Sequence, residues 1–265
     1  CLVLGDEVTL AAQGGTAISL DSSVYMKYSE VSAKYITSGG FLATHSDGTQ
    51  YIHGSFGSAA ENDRNKTAIL LNDYNGTLAM STADNWTLDL GGHTVTSTGS
   101  AISVNVSNAT LTIKNGTVIS SGTGAEVGIP AVGKDETTYF HNVTLNLENV
   151  DLTANGTADD DYGIVCNGMS TGIMINLKGG SVTATGSIGV YFPPASSTLT
   201  IDGTKITGTT GVAVKGGTVN ISGGAEITGT GAANEPDEVN SGVTNTGDAL
   251  YVEGNYVREI SVKVK

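Results

Sequence analysis

Three consecutive aspartates, Asp159, Asp160 and Asp161, followed by Tyr162, form the densest group of chemistry-bearing side chains in the chain. Such a run could hold calcium together with backbone carbonyls, or supply the paired carboxylates, about 5 to 9.5 Å apart, that glycoside hydrolysis requires. Asp237 and Glu238, beside Pro236, make a second acidic pair. Neither spacing fits a calcium loop, so solvated loop acids are the favoured reading, with Asp159, Asp160 and Asp161 kept as the calcium candidate and no other cofactor expected. Tyr191 and Phe192 precede Pro193-Pro194, and with Tyr139 and Phe140 they offer flat rings for stacking on a sugar, although closing a turn explains them more simply.

The remaining reactive types carry less. His45, His53, His93 and His141 are scattered without metal-ligand spacing and read as turn or surface residues. Cys166 follows Ile164 by two positions in an apolar run and reads as a buried free thiol rather than a nucleophile, a bridge to Cys1 being an unsupported alternative. No glycine-rich turn sits between a strand and a helix as a phosphate loop would. No catalytic residue is assigned.

The elements that must position these residues come from a repeat. Residues 88–96 read apolar, polar, apolar, any, Gly or Asn, two polar positions, apolar, Thr, and the same template returns from residues 111, 145, 175, 199 and, with one inserted residue, 219. These starts lie 23, 34, 30, 24 and 20 residues apart, the period of a stacked repeat whose loops vary while its core does not. Apolar pairs two residues apart, such as Leu111/Ile113 and Leu145/Leu147, point to one face of a strand. Two residues beyond each pair stand Gly92, Asn115, Asn149, Gly179, Gly203 and Gly223, the residue types that enter left-handed backbone at low cost. A second strand carries Val95, Val118, Leu152, Val182, Ile206 and Ile227 inward. A third strand is expected at residues 101–104, 128–132, 162–167, 187–192, 211–215 and 248–253. Three short strands per coil, each pairing with the coils above and below, predict an all-β parallel β-helix. Outward threonines, Thr96, Thr153, Thr183, Thr207 and Thr228, follow strand propensity rather than the flat array of an ice-binding surface.

The segments WTLDLGGHTVT, LTIKNGTVIS and LTIDGTKITG resemble coils of the pectin-lyase-like right-handed parallel β-helix superfamily, in particular surface proteins of Gram-positive gut bacteria. The resemblance covers roughly residues 51–265 and speaks to fold more than to activity. It implies a single-stranded right-handed solenoid of about seven coils, and a short helix within residues 51–61, capped by Ser55, before the first coil. Residues 1–66 are therefore expected to form an N-terminal cap and residues 67–265 the β-helix, together one continuous domain. The closing REISVKVK reads as the first strand of a further coil, with the native protein expected to continue, and Cys1 reads as a fragment boundary rather than a lipidated terminus. Enzymes of the superfamily act on acidic polysaccharides, but the fragments His53-Gly54, Arg64-Asn65-Lys66 and Asp159-Asp160 stand in the wrong order for its polygalacturonases.

Charge narrows the partners. Twelve lysines and arginines against 26 aspartates and glutamates give a net charge of −14, which repels phosphate backbones, anionic lipid and polyuronates. Nucleic-acid and membrane binding are not expected. The expectation is an extracellular or cell-surface module, adhesin-like or structural, binding a glycan or a host or bacterial surface protein through loops on one corner of the coil. Its candidate contacts are Asp159, Asp160, Asp161, Tyr162, Tyr191, Phe192, Asp237 and Glu238. The alternative is a glycoside hydrolase or polysaccharide lyase.

Overall fold

The computed structural model describes residues 18, 20–28, 36, 39–63, 66–130, 139–233, 245–253 and 259–265. Among the described residues the chain is all-β with one helix, and most of its strands pair in parallel. Asp237, Glu238, Arg64, Arg258 and Cys1 lie outside the described residues.

Each pass of the chain lays down a first strand, a bend, a second strand, a corner turn and a third strand. First strands stack in the order Thr67–Leu70, Asn85–Asp89, Thr110–Ser120, Thr144–Ala154, Met174–Lys178, Thr198–Asp202, Gly217–Ser222 and Ile260–Val264, each parallel to the next. The two eleven-residue members run through the bend and include the second strand. Third strands form a separate seven-stranded sheet, from Leu78–Ala79 through Ile102–Val104, Ala125–Val127, Ile164–Cys166, Val190–Phe192 and Val212–Val214 to Leu250–Val252. The closing segment does pair as a further first strand, with Val262 opposite Val219.

All six predicted bend residues have positive φ, between 54° and 83°. This backbone turns every pass at the same point, so inward residues stack on their own kind. Val95, Val118, Leu152, Val182, Ile206 and Ile227 form one continuous ladder, and the first five are at most 1% exposed. A fully buried aliphatic side chain contributes about 1.5 to 3 kcal/mol, so each pass contributes several such terms to the same column. A second left-handed column, at Asn108, Asn142, Gly172 and Ser196, precedes the first strands and was not expected. Asn142 donates from Nδ2 to Asn108 Oδ1 at 3.0 Å there.

The register corrects two sequence readings. Leu111 and Ile113 pair with Trp86 and Leu88, not with Leu88 and Leu90. The first full bend is two residues longer than the next four, with both Gly91 and Gly92 left-handed, and Leu90 is also buried. Asp89 accordingly joins the outward column of Lys114, Glu148, Lys178 and Asp202, where charges alternate and Lys114 Nζ meets Glu148 Oε2 at 3.0 Å. The third strand expected at 128–132 is instead Ala125–Val127. The missed signal is a glycine before four of the seven third strands: a Cβ at Gly124, Gly163, Gly189 or Gly211 would lie 2.3–2.5 Å from a carbonyl oxygen one pass away. Close backbone contact, rather than a turn, demands glycine there.

At the N-terminal end, strands β1 (Tyr25–Lys27), β2 (Phe41–Thr44) and β3 (Gln50–His53) form an antiparallel sheet that joins the stack through β2 and Thr67–Leu70. Helix α1 spans Phe56–Asn62, and Ser55 Oγ accepts from Ser58 N at 3.1 Å, as the sequence predicts. Phe56, Ala59 and Ala60 are buried, and Phe56 meets Trp86 edge to face with ring centroids 5.7 Å apart. One connected core runs from Phe41 through Phe56 and Trp86 to Ile221. The helix and β2 thus cover the apolar end of the stack.

Asn149, exposed and at φ 54°, tests the bend. Asn149→Gly is expected to keep stability within about 0.5 kcal/mol, whereas Asn149→Val loses about 1 to 2 kcal/mol because a β-branched side chain is strained in that region. Urea denaturation midpoints read the difference.

Candidate functional site

The turns from second to third strand stack at one corner, held by small hydroxyl side chains. Thr123 Oγ1 donates to Asp160 O at 3.1 Å, Ser187 Oγ donates to Asp159 O at 2.5 Å, and buried Ser120 Oγ donates to Gly99 O. Backbone carbonyls of the aspartate run are therefore used by neighbouring passes. Asp159 and Asp160 are exposed, while half-buried Asp161 turns Oδ2 back to the Ala158 N–H at 2.9 Å. Among the described residues no three His, Cys, Asp or Glu side chains gather as a metal-ligand group.

This corner opens into a groove of about 430 Å³ between three passes, lined by Gly99 and Ser100, by Gly122 and Thr123, and by Asp160, Asp161 and Tyr162. Glu126 and Val165 complete it from the outer face of the third-strand sheet, together with Ile129 two residues beyond Val127. Glu126 is held in place, accepting from Ser100 Oγ at 2.5 Å and from Asn105 Nδ2 at 3.3 Å. One wall presents carboxylate acceptors and another presents Tyr162, Val165 and Ile129. Glu126 was missed in the sequence because its strand was placed three residues too late.

Glu126, Val165, Tyr191, Ala213 and Tyr251 follow one another across the sheet as a single outward column. Tyr162 stacks on Tyr191 with centroids 5.4 Å apart and planes 17° from parallel. Burial, then Tyr191 and the nearby Asp160 and Asp159, push the Tyr162 phenol pKa up, so it stays protonated. Lys215 Nζ lies 5.6 Å from the Tyr191 centroid and 3.8 Å from Glu253 Oε2, with both charged side chains almost fully buried. Tyr251 donates its hydroxyl to Glu253 at 3.1 Å. Phe192 departs from the expected binding set: it is 0% exposed and points into the core, because alternation along the strand sends Tyr191 out and its neighbour in. Cys166 is buried as predicted, and burial pushes its thiol pKa up, away from nucleophilic use.

A second constellation, absent from the sequence reading, lies in the cap. The β2–β3 hairpin turns at Asp47-Gly48 and brings His45 Nε2 within 2.9 Å of His53 Nε2. His53 is 0% exposed, not a surface residue, and its Nδ1 faces Ser58 Oγ of α1 at 3.1 Å. Tyr25 and Tyr51 close around the two imidazoles, with ring centroids 4.1 to 5.4 Å away. The Asp-Gly turn between alternating strands was the available signal. His53 belongs to this cap sheet, apart from Asp159 and Asp160 at the corner, so the fragments of the polygalacturonase pattern do not form one site.

Burial, reinforced by His45, lowers the His53 pKa from 6.5 to about 4. The unfolded chain therefore takes up this proton first, and stability present above about pH 6.5 is lost as pH falls toward about 4. In chelator-treated protein, His53→Asn is expected to flatten that part of the stability profile, measured as urea midpoint against pH; an unchanged slope would contradict the assignment.

In comparisons with known proteins, the chain matches no protein-family model, no curated protein and no solved structure.

Proposed function

We propose that the chain is a right-handed parallel β-helix module of an extracellular bacterial surface protein, of the pectin-lyase-like type, that binds a neutral glycan at the corner groove. The observation that carries this reading is the groove itself, in which Asp160, Asp161 and Glu126 face an apolar wall of Tyr162, Val165 and Ile129. Sugars present hydroxyl donors around an apolar ring face, and a pocket that combines acceptors with aromatic surface suits both. Its volume lies within the range of small-ligand sites. The net charge of −14 argues for a neutral chain over a polyuronate.

The fold assignment is supported by in-register parallel ladders, a recurring left-handed bend and a covered end. The adhesin-like role is supported by the arrangement of loops: the corner turns differ in length while the strands beneath them keep register. A polysaccharide hydrolase would require two of the groove carboxylates to act as acid and base. Asp161 Oδ2 and both Glu126 oxygens instead accept hydrogen bonds from protein donors.

A glycan array probed with the purified chain tests the reading. Binding to neutral oligosaccharides is expected, and Asp160→Asn is expected to weaken it about tenfold, the effect of losing one charge-assisted hydrogen bond of about 1.4 kcal/mol. Because Asp160 is exposed, thermal stability should not change. Equal binding by the variant would move the ligand elsewhere, and shortening of the glycan would convert the reading to a hydrolase.

A further inference from the structure

The facing imidazoles in the cap point to a second site, unrelated to the corner groove. We propose that His45 and His53 bind one divalent transition-metal ion, Cu²⁺ being the ion best suited, through their two Nε2 atoms.

The geometry supplies the argument. Two nitrogen ligands at about 2.05 Å from a metal lie about 2.9 Å apart when adjacent in a square-planar or tetragonal site, and about 3.3 Å apart in a tetrahedral one. The observed Nε2–Nε2 separation is 2.9 Å, the edge of the tetragonal site that copper prefers. The rings face each other along the line between these nitrogens, with centroids 5.1 Å apart, so the ion would replace the proton that the two nitrogens share with both rings turning toward it.

Ser58 gives the second, independent support. Its hydroxyl faces His53 Nδ1 at 3.1 Å, and if Nδ1–H donates to it, the Nε2 lone pair is left facing His45. Metal-bound histidines are held in this way by a partner on the other ring nitrogen. Half-exposed His45 moves its proton from Nε2 to Nδ1 through solvent, and no net proton is lost. Since no third His, Cys, Asp or Glu joins the pair among the described residues, water completes the coordination. The backbone is fixed at both ligands: His45 N and Thr49 O close the hairpin at 2.9 Å, and His53 pairs with Phe41 and Tyr25.

Titration of the full chain with Cu²⁺ at neutral pH, followed by calorimetry and electron paramagnetic resonance, tests this. The expected result is binding of one equivalent with hyperfine coupling to two imidazole nitrogens. His45→Gln, at a half-exposed hairpin end and so the variant that keeps the fold, is expected to lose at least about tenfold in affinity together with the two-nitrogen pattern. Ser58→Ala should weaken binding by about tenfold while retaining two nitrogens. Undiminished binding by His45→Gln would assign the ion to His93, His141 or another group and overturn the proposal, as would absence of binding by the unmodified chain at about 0.1 mM Cu²⁺.

Discussion

The left-handed bend after each first strand is the constraint on which the rest depends. Only glycine and asparagine stand at the six aligned positions, and each adopts positive φ. Because the bend recurs two residues past the inward pair in five of these six passes, the next strand begins in register with its predecessor. A slip of one residue would send every inward side chain of that strand to water. The buried columns are therefore a consequence of the bend as much as of hydrophobicity.

From that register follows the placement of the candidate chemistry. Outward positions of the third strands line up as Glu126, Val165, Tyr191, Ala213 and Tyr251, residues far apart in sequence. The corner turns above them also stack, so Ser100, Thr123 and Asp160 border one groove although no two belong to the same pass. Loop residues supply Asp160, Asp161 and Tyr162, and the third-strand sheet supplies Glu126 and Val165. Glycines at 124, 163, 189 and 211 allow the corner to close tightly, since a methyl group at any of them would collide with the next pass.

Much of the strand architecture was legible in the sequence, because period-two alternation and the recurring Gly or Asn have direct backbone causes. The inward ladder of second strands was legible for the same reason, whereas helix α1 with its Ser55 cap was expected from the resemblance. The third strand at Ala125–Val127 was not, since the sequence points to 128–132 and the close carbonyl contact that requires Gly124 leaves no trace in the local alternation. The candidate site was legible only on its loop side: Asp160, Asp161 and Tyr162 announce themselves as a cluster, but Glu126 reaches them through strand pairing. Phe192 was misread because adjacent strand residues point to opposite faces, and only Tyr191 is outward. His45 and His53 meet through hairpin pairing, eight residues apart, a spacing that no metal-ligand pattern singles out.

The stack itself is tested most directly by distances along one outward column. Thr96, Ile119, Thr153, Thr183, Thr207 and Thr228 are successive partners, so Thr96 and Thr228 are five strand spacings apart, about 24 Å, and Thr153 and Thr228 three, about 14 Å. Spin labels at Thr96→Cys with Thr228→Cys, and at Thr153→Cys with Thr228→Cys, in a Cys1→Ser, Cys166→Ser background, allow pulsed dipolar measurement of both. The account predicts that the two distances differ by about 10 Å, one spacing of about 4.8 Å per pass. Equal distances, or a distribution without a defined maximum, would contradict the in-register stack.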